Sequence, residues 1–202
     1  MSLPGGPNRS TPQHQANDFQ ISATQQRAEF RQQLDSLLHE FDDLTASSDT
    51  QGRGYLLQDL LNEALSLHGI HVVESFTRND GAEQIDGAFK LEGWHYLVEC
   101  RWRGKLANIR ELDGLRGQLE RSGKQAMGLF LSINGWSENV IPLLKQNPQK
   151  SIILMEGSDL RSALTGAISL PELILAKAAK LTVKGEPFYR AADLLREQSE
   201  SP

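Results

Sequence analysis

A single cysteine, Cys100, stands in this chain of 202 residues. That count excludes an intramolecular disulfide and leaves no cysteine-built zinc site. No apolar run approaches the roughly 18 residues of a membrane span. The opening MSLPGGPNRSTPQHQ has neither a basic start nor an apolar centre, so no signal peptide is expected there. These absences predict a soluble protein of a reducing, cytoplasmic compartment. The five histidines (His14, His39, His68, His71 and His95) include no pair at metal-ligand spacing. Ser132 and Ser137 lack the partners of a catalytic triad. No glycine loop cradles a phosphate, since the GRG at 52–54 opens a helix and offers amides to one phosphate at most.

Positive charge is also short. The formal net charge is −5, which on its own argues against a nucleic-acid partner. The distribution says more than the sum. Between Met1 and Thr50 there are three basic and seven acidic residues, whereas Arg101 to Gln125 carries seven basic and three acidic ones. A locally basic segment of this kind receives phosphates, or else it is simply a solvated helix face.

Residues 1–22 are rich in Pro, Gln and Ser and are expected to be a disordered tail. From 23 onward, Phe30, Leu34, Leu37, Leu38, Phe41 and Leu44 keep helical spacing, and residues 23–51 read as an amphipathic helix plus linker. That helix either packs on the main domain or pairs with a second copy through residues 23–45. The main domain spans 52–200. Its first helix is expected over 54–68 with Gly69 as C-terminal cap, and Leu56, Leu60, Glu63 and Leu67 form one stripe of it. Strands are expected at 70–76, 126–133 and 151–155. Helices are expected at 108–122, in a short segment capped by Ser137 and limited by Pro142, from Ser169 to about 181, and over 188–196. A strand meander followed by helical crossovers predicts an α/β fold, a mixed sheet flanked by helices, with an extra N-terminal helix.

The segment 83–102, EQIDGAFKLEGWHYLVECRW, reads as a β-hairpin turning at Glu92-Gly93. Leu91 then pairs with Trp94, and counting outward sets Asp86 opposite Glu99. Facing carboxylates lie roughly 5 Å apart at Cβ and repel each other, a cost that a divalent cation removes. Arg101 follows on the same strand face as Glu99, and Cys100 points the other way into the core. Asp86 and Glu99 suit Mg²⁺ or Mn²⁺, and Glu63 would complete the set from a neighbouring helix. Such a site hydrolyses phosphate esters, with Arg101 on the phosphate rather than acting as a base. Trp94, Trp102 and Trp136 stack on bases or, more simply, fill the core.

RGYLLQDLLNEAL, EQIDGAF, YLVECRW and GLFLSINGWS together resemble the Mrr-like branch of the PD-(D/E)xK, restriction endonuclease-like superfamily. The resemblance covers roughly residues 52–141. It implies a restriction endonuclease-like fold and metal-dependent hydrolysis of DNA, with Glu63, Asp86, Glu99 and Arg101 at the family's catalytic positions. Mg²⁺ or Mn²⁺ would be the cofactor and DNA the partner, contacted by Arg53, Arg103 and Lys105. The family's motif lysine is Arg101 here, and arginine is longer, planar and phosphate-seeking. Two readings therefore stay open. One is an endonuclease, with restriction or defence as its expected role. The other is a nuclease-fold protein that binds nucleic acid without cutting it.

Overall fold

The computed structural model describes residues 12–47, 52–78, 83–147 and 150–200. Among these the chain runs α1 (Pro12–Ala46), α2 (Gly52–Leu67), β1 (Val72–Val73), β2 (Phe76–Arg78), β3 (Glu83–Ile85), β4 (Gly87–Leu91) and β5 (Trp94–Arg101). It continues through α3 (Ile109–Glu120), β6 (Ala126–Ser132), α4 (Val140–Gln146), β7 (Ile152–Glu156), α5 (Gly157–Leu164), α6 (Leu170–Lys184) and α7 (Ala191–Glu200). None of these helices is long and apolar enough to cross a membrane.

A five-stranded mixed sheet in the order β1-β4-β5-β6-β7 forms the central layer. The pairs β1–β4 and β4–β5 are antiparallel, and β5–β6 and β6–β7 are parallel. Helices cover both faces, as the alternation of strand and helix patterns predicts. On one face α1, α2, α5 and α6 pack over the side that Tyr96, Val98 and Cys100 present. On the other, Leu112, Leu115 and Leu119 of α3 and Val140 and Leu144 of α4 pack over Leu97, Phe130, Ile152 and Leu154. Successive residues of β5 thus feed opposite layers, and Cys100 is core as expected.

The N-terminal helix is longer than its apolar stripe. It begins at Pro12, so 12–22 is helical rather than disordered, while residues 1–11 lie outside the described set. Leu34, Leu37, Phe41 and Leu44 are buried in the main core, and α1 lies against α2 and α5. The stripe that a second copy would use is thus occupied within the chain. Asp42 extends the seam with an ion pair to Arg161 of α5. Most of the linker after α1, residues 48–51, lies outside the described set, as do 79–82 of the turn between β2 and β3.

Three local readings need correcting. The single strand expected over 70–76 is two, β1 and β2, because their partner also breaks: β3 pairs with β2 in a separate two-stranded sheet, and β4 pairs with β1. Asp86 is the residue at that break. Pro142 does not limit α4. It lies in the first helical turn, where a missing N–H is tolerated, and Asn139 rather than Ser137 is the cap position. Finally, α5 follows β7 without an intervening loop, and short GSDLRSAL carries too few periodic positions to announce it.

Candidate active site

The hairpin turn is built by backbone chemistry. Glu92 and Gly93 have φ of 46° and 81°, both positive, as a type I′ turn requires. This turn locks Leu91 to Trp94 and carries the register to Gly87↔Val98, so Asp86 is next in line with Glu99. Having left the ladder, Asp86 spends its side chain rather than its backbone on β5. Its Oδ2 accepts from the Cys100 N–H at 3.2 Å. Gln58 of α2 donates to the Asp86 carbonyl and holds the break from the other side.

Arg101 closes the arrangement. One guanidinium nitrogen pairs with Glu99 Oε1. The other donates to the Cys100 carbonyl at 2.9 Å and lies 3.5 Å from Asp86 Oδ2. Three oxygens, two from carboxylates and one from the backbone, therefore converge on one cationic group. Asp86, Arg101, Tyr55, Gln58 and Arg103 line a cleft of 290 Å³ at this end of the sheet. The Glu99 side chain is only 8% exposed. Burial pushes its carboxyl up to about 7, with Asp86 and Glu111 adding to the rise and Arg101 opposing it.

Glu63 does not join them. The helical stripe located it on a face but could not say which face of the sheet that helix would cover. Helix α2 packs on the Cys100 side through Leu57, Leu60, Leu61, Ala64 and Leu65, opposite to Glu99. Glu63 is exposed and lines the groove between α1 and α2, where it raises the Glu40 carboxyl behind the larger effect of burial. Among the described residues no group of three or more His, Cys, Asp or Glu side chains gathers as a metal cluster.

The carboxylate that Glu99 does feel besides Asp86 is Glu111, on the first turn of α3. Its signal was in the sequence as a capping box. The Asn108 side chain caps the helix, and Glu111 accepts from the Asn108 N–H at 2.9 Å. Glu111 also meets Arg103 at 3.3 Å, so its charge is already engaged.

Of the three basic residues expected to meet DNA, Arg103 lines the cleft. Arg103 is 67% exposed. Lys105 is exposed on the loop that follows. Arg53 lies with its guanidinium 5.4 Å from the Trp102 ring centre, and its buried Nε finds no hydrogen-bond partner. Trp102 itself is core, 5.7 Å from Phe41, and Trp136 packs edge-on to Phe130. Only Trp94, at 42%, is strongly exposed among the three tryptophans.

The sequence matches no family model and no curated protein. Two solved structures show low similarity to this chain. One is an ATP-dependent Type ISP restriction-modification enzyme, LlaBIII, bound to DNA, with 20% identity and a TM-score of 0.44 over 60% of this chain. The other is the MspJI restriction endonuclease in complex with a 27-mer oligonucleotide, with 13% identity and a TM-score of 0.37 over 81% of this chain. The aligned parts make up 8% and 38% of those chains, so this chain spans a minor share of either protein.

Proposed function

We propose that the chain is a divalent-metal-dependent endodeoxyribonuclease of the Mrr-like type, serving restriction or defence, with its centre at Asp86, Glu99 and Arg101. The observation that carries this reading is the convergence of Asp86 Oδ2, Glu99 Oε1 and the Cys100 carbonyl on one cation-filled position. Hydrophobic packing has no use for two adjacent carboxylates, one of them buried, and the cost of placing them there argues for a function.

The donor set fits a hard cation. Mg²⁺ and Mn²⁺ take one or two carboxylates and fill their other positions with water and substrate phosphate. When bound, such an ion supplies a water of lowered pKa and positive charge beside the scissile phosphate. The chain's own residues do the rest. Asp86 and Glu99 would hold the ion, and Gln58 and the Cys100 N–H fix Asp86 in place. Arg101, as a guanidinium, contacts phosphate and offsets developing negative charge but serves as no base. Arg103 lines the cleft and, with Arg53 and Lys105 next to its lining segments in the chain, would track the DNA backbone.

A second reading has an observation of its own. The Arg101 guanidinium itself satisfies the oxygens that a metal would use, as in a protein that binds DNA without cutting it. Plasmid incubated with the full chain separates the two. The nuclease reading expects nicked or linear product with Mg²⁺ or Mn²⁺ and none in EDTA. A salt-sensitive gel shift that survives EDTA, with intact plasmid under every metal tried, would establish binding alone. Product formed equally in EDTA would rule out a metal centre.

A further inference from the structure

We infer that Arg101 is an internal counterion that competes with the divalent ion, which binds between Asp86 and Glu99 only as the guanidinium leaves. This rests on the metal-dependent reading above and specifies how the site is controlled. The guanidinium now takes up all three converging oxygens: Glu99 Oε1 by ion pair, the Cys100 carbonyl at 2.9 Å and Asp86 Oδ2 at 3.5 Å. A divalent ion would seek the same three atoms. Two carboxylates neutralise one divalent ion, and adding the guanidinium beside it brings unrelieved repulsion between cations.

The hold of Arg101 is also incomplete. Its Nε is buried and finds no hydrogen-bond partner, so the docked position leaves one donor unsatisfied. Its side chain is 28% exposed and lines the cleft, which gives it a way out. At the cleft mouth stand Arg103, 67% exposed, and Tyr55, 72% exposed. A phosphodiester entering there presents paired oxygens that match the planar fork of a guanidinium. DNA is the anion suited to take Arg101 over, and each ligand then favours the other's binding. A site built this way holds little metal until DNA arrives.

Mn²⁺ binding to the full chain without DNA tests the inference and needs no turnover. The readouts are the electron paramagnetic resonance signal of unbound Mn²⁺ and the metal-induced rise in unfolding temperature. Arg101→Ala is expected to bind Mn²⁺ at least about tenfold more tightly than the wild type, and Asp86→Asn to remove binding in either background. Arg101→Lys, which keeps the charge but cannot span three oxygens, is expected to fall between them. It also serves if Arg101→Ala does not fold. Wild-type binding that depends on Asp86 and is unchanged in both Arg101 variants overturns the counterion role and leaves the metal site standing. Absence of binding in the wild type and both Arg101 variants overturns the metal reading and this inference with it.

Discussion

Glu99→Gln is expected to give a protein that is more stable at pH 8 and that, under the proposed nuclease function, does not cut DNA. The two effects have one cause. Glu99 is 6% exposed, and its carboxyl is raised from an ordinary 4.5 to about 7 by burial, with Asp86 and Glu111 contributing. Between those two pH values the folded protein retains a proton that the unfolded chain has lost, so stability falls as pH rises. The full contribution is present below about pH 4.5 and is lost once pH passes about 7. At about 1.4 kcal/mol per pH unit, the loss is about 3 kcal/mol across that window. The neutral glutamine removes this dependence. Part of the gain is offset because Arg101 loses its closest partner, which sets the expected net gain at about 1–3 kcal/mol at pH 8. Urea unfolding at several pH values measures it, with a profile that falls less steeply between about pH 4.5 and 7 for the variant than for the wild type. Cleavage should drop by about 100-fold or more, equivalent to about 2.7 kcal/mol in the barrier. A variant that is both less stable at pH 8 and active would contradict the reading of this side chain as a functional cost.

Lys177→Met is the second large effect, and it concerns the fold rather than the chemistry. Lys177 and Asp159 are 1% and 0% exposed. The three protons of the ammonium go to Asp159 at 2.7 Å, the Leu154 carbonyl at 2.9 Å and the Tyr189 carbonyl at 2.6 Å. Asp159 in turn accepts from Ala191 N–H at 2.7 Å and Glu156 N–H at 3.2 Å. One buried ion pair thus ties together β7, α5, α6 and the start of α7. Burial lowers the Lys177 pKa, and Asp159 opposes that shift. Removing one partner strands the other charge away from water, at about 3–5 kcal/mol. Against a total stability of about 5–15 kcal/mol, such a loss threatens the whole C-terminal layer. Lys177→Met combined with Asp159→Asn should cost clearly less than the sum of the two single changes, because the pair acts as a unit. Denaturant unfolding measures the cycle. Single-variant losses below about 1 kcal/mol would mean that the pair is not buried as described.

The hairpin was the most legible part of the chain because two local rules agree on it. Glu92-Gly93 suits a turn with positive φ, and strand alternation then carries the register outward without further information. Asp86, Glu99 and Arg101 come together for that reason. Glu63 marks where this logic stops. A helical stripe says which residues share a side of α2, but the sheet face that α2 covers depends on how the chain crosses over. Covering the Cys100 side leaves Glu63 near α1. Gln58 acts through a backbone carbonyl of a distant segment and carries no pattern of its own, while the capping-box pattern of Glu111 marks a helix start and says nothing of its nearness to Glu99. Lys177 was invisible for another reason. In LILAKAAKLTVK a lysine reads as solvated, and its partner Asp159 belongs to a helix too short to be seen from periodicity. Long-range polar pairing leaves little trace in local spacing.

The central claim is that Asp86 belongs to a metal-dependent centre for DNA hydrolysis. The most direct measurement is plasmid cleavage by the wild type and by Asp86→Asn, side by side in Mn²⁺, with circular dichroism showing both folded. The account predicts nicked and linear products from the wild type and intact supercoiled plasmid from the variant. Equal cleavage by Asp86→Asn would contradict it.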